Sequence, residues 1–228
     1  TLEFWIKPNF TFVNGSTGIE GIITKKSSGS SSSKGYAVYW ESTVSLHRIR
    51  FNLGDGNQRT LSSKNNSNIN SNGWMHIAAV FNKTIKDSAF LYIDGELVDK
   101  NSVSNITDMS NSYPLTLMAF KKASQDAGGG YMDDIRMWKK ALSQDQIQML
   151  RLEPIEKTGV NDVKSSVSQR IISGIGWNEL VVYFKAEEGS GTQLTDLSNY
   201  GNHGALYEGN KVGNGPQWVA YNTTSTRP

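Results

Sequence analysis

Most of the chain is patterned for strands. Leu2 to Lys7 alternates with Leu2, Phe4 and Ile6 on one side, which predicts a strand, and Pro8 ends its ladder because it has no N–H to donate. The turn signal Asn14-Gly15-Ser16 leads into a second predicted strand, Ile19 to Lys25. Gly35 to Glu41 and Val44 to Leu53 predict a hairpin. In its first strand Tyr36, Val38 and Trp40 face one way, and Ala37 and Tyr39 the other. In its second, Val44, Leu46, Arg48 and Arg50 share one side, and Ser45, His47, Ile49 and Phe51 the other. After the turn Gly54-Asp55-Gly56-Asn57, the stretch Gly73 to Phe81 reads as a core strand. Phe90 to Ile93 and Glu96 to Val98 form a hairpin on Asp94-Gly95, and Pro114 to Phe120 is one more strand.

Tyr131 to Trp138 then sets Met132, Asp134, Arg136 and Trp138 on one side and Asp133, Ile135 and Met137 on the other, so each face mixes apolar and charged groups. Ser143 stands three residues before Gln146, the spacing of a reciprocal cap, and Ile147 and Leu150 give one apolar stripe. A short helix starting near Gln144 follows. Between these elements the chain is polar. The serine and glycine run Ser27 to Ser33 and the asparagine-rich run Ser62 to Asn72 read as loops, as does Gln125 to Gly130. Glu153 to Gly176 has no sustained period and few core residues, which predicts a connection over residues 153–179.

Composition narrows the class. With 228 residues and 37% hydrophobic content, one large all-β sandwich is expected over residues 1–228. There is no cysteine, so neither disulfides nor thiolate metal sites are available. A net charge of +2 without a basic run gives no nucleic-acid surface, and no apolar run is long enough to insert into a membrane. Thr1 already lies against a strand pattern, which suggests a chain cut from a larger multidomain precursor.

Three segments carry a resemblance to the laminin-G-like jelly rolls of the concanavalin A-like superfamily. Met132-Asp133-Asp134-Ile135-Arg136-Met137-Trp138 with Ala141-Leu142-Ser143 resembles the family's closing strand and helix, and Leu2 to Pro8 its opening strand. Gly73 to Ala78 with Leu91 to Gly95 resembles the central hairpin. The fold this implies is an antiparallel two-sheet β-sandwich (jelly roll) with one short helix. Leu180 to Val219, with an EGSG turn and a closing Trp218-Val219, resembles a segment that usually comes first in the family. It is too short for a sandwich of its own, so residues 180–219 are expected to complete the first sandwich by circular permutation.

The resemblance also implies a structural Ca²⁺. Asp133 and Asp196 would supply carboxylates, and turn groups near Asn199 and Asn202 the remaining oxygens. Asn199 and Tyr200 stand where the family pattern has Gly and Asn, which bears directly on those backbone ligands. The competing reading is that Asp196 caps its turn and Asp133 pairs with an arginine such as Arg136.

The superfamily contains glycoside hydrolases and lyases, but a noncatalytic role is expected. Retaining glycosidases need two carboxylates about 5 Å apart, displayed in this fold as E-x-D-x-x-E, and that string does not occur. His47, His76 and His203 have no nucleophile motif beside them. The expected activity is binding of a polysaccharide, and the arginines suit an acidic one. Tyr39, Trp40 and Trp177 are the aromatics that the family motifs do not assign to packing, with His47, Arg48 and Arg50 as hydrogen-bonding partners. An ordinary half-exposed sheet surface accounts for the same residues, and a protein-binding adhesion or spacer module is the alternative function. Either suits a secreted or cell-surface bacterial protein.

Overall fold

The computed structural model describes residues 1–8, 18–26, 33–43, 46–56, 59–62, 69, 73–84, 88–104, 106–119, 129–208, 211–212 and 216–219. The Asn14-Gly15-Ser16 turn and most of the three loops read from the sequence lie outside the described residues. In chain order the strands are β1 (Leu2–Pro8), β2 (Gly18–Lys25), β3 (Gly35–Thr43), β4 (Leu46–Gly54) and β5 (Arg59–Ser62). Then come β6 (Met75–Asn82), β7 (Ser88–Ile93), β8 (Glu96–Ser102), β9 (Thr116–Leu117) and β10 (Gly130–Trp138). The helix α1 (Gln144–Leu150), β11 (Ile155–Thr158), β12 (Asp162–Ser165), β13 (Ile171–Gly176) and β14 (Leu180–Phe184) follow.

Two antiparallel sheets face each other. One has the order β14-β10-β1-β6-β7-β8 and the other β5-β4-β3-β2-β9. The alternation in β1 sends Leu2, Phe4 and Ile6 into the space between them, where they meet Ile77 and Leu91 from their own sheet. Val38, Trp40, Ile49 and Phe51 come from the facing sheet. Phe4 and Ile6 are fully buried, and each stabilises the fold by about 1.5–3 kcal/mol.

The six-stranded sheet is covered on its other side as well. Here α1 and the small sheet β11-β12-β13 build a second core with Val80, Trp138, Ile147, Leu150, Val163, Ile172 and Trp177. The helix starts where the cap predicts: the Gln146 N–H donates to Ser143 Oγ at 3.2 Å and the Ser143 N–H donates to Gln146 Oε1 at 3.0 Å. The segment expected to be a connection is therefore a packed layer. Its strands are four to six residues long and bury only one or two apolar side chains each, which is too little for a period to show in the sequence. Beyond it, the C-terminal segment does not stand apart, because β14 pairs with β10 and adds the edge strand to the main sheet.

A buried polar network joins the two layers. Between β1 and β10 the register shifts, from Glu3 opposite Arg136 to Trp5 opposite Asp133, and Asp134 takes up the extra residue at φ 47°. Asp is one of the few side chains that tolerates this left-handed conformation. The bulge brings Asp134 and Arg136 together, with Arg136 Nη2 donating to Asp134 Oδ2 at 2.8 Å and Nη1 to Glu3 Oε1 at 3.3 Å. The same guanidinium donates to the Leu150 carbonyl at the helix end and to the Glu153 carbonyl. Tyr183 on β14 donates to Asp134 Oδ1 at 2.8 Å and accepts from the Ile155 N–H. One arginine thus ties α1, β10, β1 and, through Asp134, β14.

Candidate functional site

The β3–β4 hairpin sorts its side chains onto two faces by register. Trp40 opposes Ile49 and Val38 opposes Phe51 on the core side, while Ala37, Tyr39 and Glu41 oppose Asn52, Arg50 and Arg48 on the outer side. On that outer face Glu41 Oε2 lies 2.6 Å from Arg48 Nε, 2.6 Å from Arg50 Nη2 and 2.8 Å from Arg50 Nε. All three side chains remain about one-quarter exposed. Tyr39, opposite Arg50, is 5% exposed, and burial pushes its hydroxyl pKa up despite the neighbouring arginines.

The polar row continues across the sheet. Lys26 donates to Asn52 Oδ1 at 2.5 Å, and Asn52 Nδ2 donates to Thr60 Oγ1 at 2.9 Å. Thr24 donates to the Ala119 carbonyl at 2.7 Å. Burial brings the Lys26 ammonium down to about 8. Sequence reasoning missed Glu41, Lys26 and Asn52. For Glu41 the sequence reading gives the wrong register, since strands ending at Glu41 and starting at Val44 set those two residues opposite each other, whereas β3 runs on to Thr43 and sets Glu41 against Arg48.

The other expected ligand contacts fall elsewhere. His47 lies at the hairpin end, its Nδ1 2.9 Å from Ser42 Oγ. Trp40 is 1% exposed and packs in the central core, so its ring has no face to offer a sugar. Trp177 is 4% exposed in the second core, edge-on to Tyr183 with ring centroids 6.3 Å apart. Both tryptophans belong to packing, because the layer each faces is filled. His76 is buried too, with Nε2 3.2 Å from Glu3 Oε2 and its ring edge-on to Trp5.

The Asp196 turn is tightly hydrogen-bonded. Asp196 Oδ1 accepts from the Tyr183 N–H at 2.8 Å and the Ser198 N–H at 2.9 Å; Oδ2 accepts from Ser198 Oγ at 2.8 Å and the Asn202 N–H at 2.7 Å. Asn202 Nδ2 donates to the Val181 carbonyl, Asn199 is exposed, and the Tyr200 hydroxyl bridges Lys139 Nζ and the Asn178 carbonyl. Asp133 is buried and accepts from the Asp134 N–H at 2.9 Å, which holds the bulge.

These residues do not fit calcium at Asp196. The carboxylate's acceptor positions are occupied by donors, and three of the four hydrogens belong to backbone amides that cannot rotate away from an approaching cation. Among the described residues, no three His, Cys, Asp or Glu side chains gather as a metal site. Asp196→Ala is expected to cost about 1–3 kcal/mol for the buried amide of Tyr183 left unpaired, seen as a lower urea midpoint. Adding Ca²⁺ or a chelator is expected to leave the wild-type midpoint unchanged.

Two facing antiparallel sheets with a short capped helix define a lectin-like jelly roll. The chain belongs to the Laminin_G_3 family of the concanavalin A-like lectin/glucanases superfamily, whose model matches residues 1–148. No curated protein matches it in sequence. Solved structures resemble parts of the chain at low identity. The CBM40 of Ruminococcus gnavus IT-sialidase, bound to α2,3-sialyllactose, is 13% identical over 65% of this chain and 80% of its own, with a TM-score of 0.45. The binding domain of Paraclostridial Mosquitocidal Protein 1 is 18% identical over 68% of this chain and 38% of its own, with a TM-score of 0.44. A pentraxin of Limulus polyphemus is 13% identical over 64% and 66%, with a TM-score of 0.40.

Proposed function

We propose that the chain is a noncatalytic carbohydrate-binding module of a larger secreted or surface bacterial protein, which takes a polysaccharide on the outer face of β3 and β4. The observation that carries this is the Glu41, Arg48 and Arg50 cluster, with Tyr39, Lys26 and Asn52 buried beside it on the same face. It presents planar guanidinium donors and a carboxylate acceptor, each about one-quarter exposed on a rigid sheet, the groups that pair with sugar hydroxyl and acidic oxygens. A noncatalytic role is supported by the buried acids. Glu3, Asp133, Asp134 and Asp196 all hold structural hydrogen bonds, so none is poised for acid or base work. In this reading β14 and the Asp196 turn belong to one circularly permuted domain, with hydrogen bonds holding the turn where the family resemblance places calcium.

Affinity electrophoresis in gels containing neutral and acidic polysaccharides tests the proposal. Retardation by at least one polysaccharide is expected, and Arg48→Ala with Arg50→Ala should weaken it about tenfold or more. Migration unchanged in every gel would favour a protein-binding module. That second reading has its own support in Leu152, Val167 and Ile171, which are 55%, 77% and 59% exposed on the second layer.

A further inference from the structure

We infer that the β3–β4 face is selective for an anionic sugar and that Glu41 occupies the anion position in the free protein; this rests on the carbohydrate reading above. Three guanidinium nitrogens from two arginines converge on one oxygen of Glu41, at 2.6, 2.6 and 2.8 Å. The arrangement is crowded. Arg48 Nε is buried and, despite its short distance, lies off hydrogen-bond geometry, so a buried donor is left without a proper acceptor. Two full positive charges face one negative one.

A carboxylate or sulfate brought by a sugar has separate oxygens for the two guanidinium forks, which Glu41 serves with one. The ligand's anion would complete what Glu41 satisfies in part, and Glu41 would be displaced toward solvent, to which it is already 26% exposed.

The test compares matched probes with the whole chain: polygalacturonate against its methyl-esterified form, and dextran sulfate against dextran. Retardation by the charged member of either pair and not by its neutral partner is expected, and the pair that responds tells carboxylate from sulfate. Glu41→Gln should raise that affinity on the order of tenfold by removing the internal competitor. Should Glu41→Gln fail to fold, the wild type still decides: retention by the charged polymer must fall steeply with salt. Equal retention by charged and neutral partners overturns the anionic inference while leaving the carbohydrate reading intact. Retardation by no polysaccharide, in a chain that melts cooperatively, overturns both.

Discussion

Arg136→Ala is expected to lower the unfolding free energy by about 3–5 kcal/mol, the cost of breaking a buried ion pair from one side. Arg136 is 1% exposed, and its removal leaves Glu3 and Asp134, both buried, without their cation. It also frees the Leu150 and Glu153 carbonyls at the helix end. In a chain of this size the loss corresponds to a melting temperature lower by about 10 °C. Arg136→Lys keeps the charge but loses the planar fork, so it should fall between wild type and alanine. Chemical denaturation of the three proteins checks the order.

The same network gives a pH dependence with a definite sign. Burial raises the Glu3 pKa, but Arg136, His76 and Trp138 together outweigh burial and hold it below the ordinary 4.5. A carboxyl with a lower pKa in the folded state contributes stability that is fully present above 4.5. That contribution is lost as pH falls from 4.5 through the folded value. The acid limb of the stability curve should therefore steepen below pH 4.5, and Glu3→Gln should flatten it.

Trp40→Ala is expected to cost about 3–5 kcal/mol, because a large ring is removed from a filled core. The indole is 1% exposed, between β3 and the six-stranded sheet. Trp40→Phe should cost less and retain any polysaccharide binding, whereas Arg50→Ala should lose binding with little change in the midpoint. Thermal melts and affinity gels on both variants separate packing from recognition. Loss of binding in Trp40→Phe at an unchanged midpoint would return Trp40 to the binding face.

Much of the architecture was legible in the chain because period-two alternation is local. Leu2, Phe4 and Ile6 face the core as their spacing requires, Ser143 and Gln146 cap each other, and the motifs around Trp5, Trp74 and Trp138 point to the family that the sequence model matches. Alternation also separated Tyr39 from Trp40, and Arg50 from Ile49. It cannot say which set is buried, and for that reason the sequence reading draws ligand contacts from both, Tyr39, Arg48 and Arg50 from one and Trp40 and His47 from the other. Trp177 was misread because its neighbours, Ile155, Val163 and Ile172, come from short strands that acquire an apolar face only when stacked on the main sheet.

The sequence by itself determined the strand pattern, the helix and its cap, the family and the absence of thiol chemistry, since each follows from residue types at short separations. Only the tertiary structure decided what β1, β10 and β14 do to one another. A one-residue bulge at Asp134 turns two adjacent acids to different tasks, and Asp196 spends its oxygens on amides brought by β14 and its own turn. Such outcomes depend on which donors arrive from distant strands, and a carboxylate's role is set by the donors that reach it.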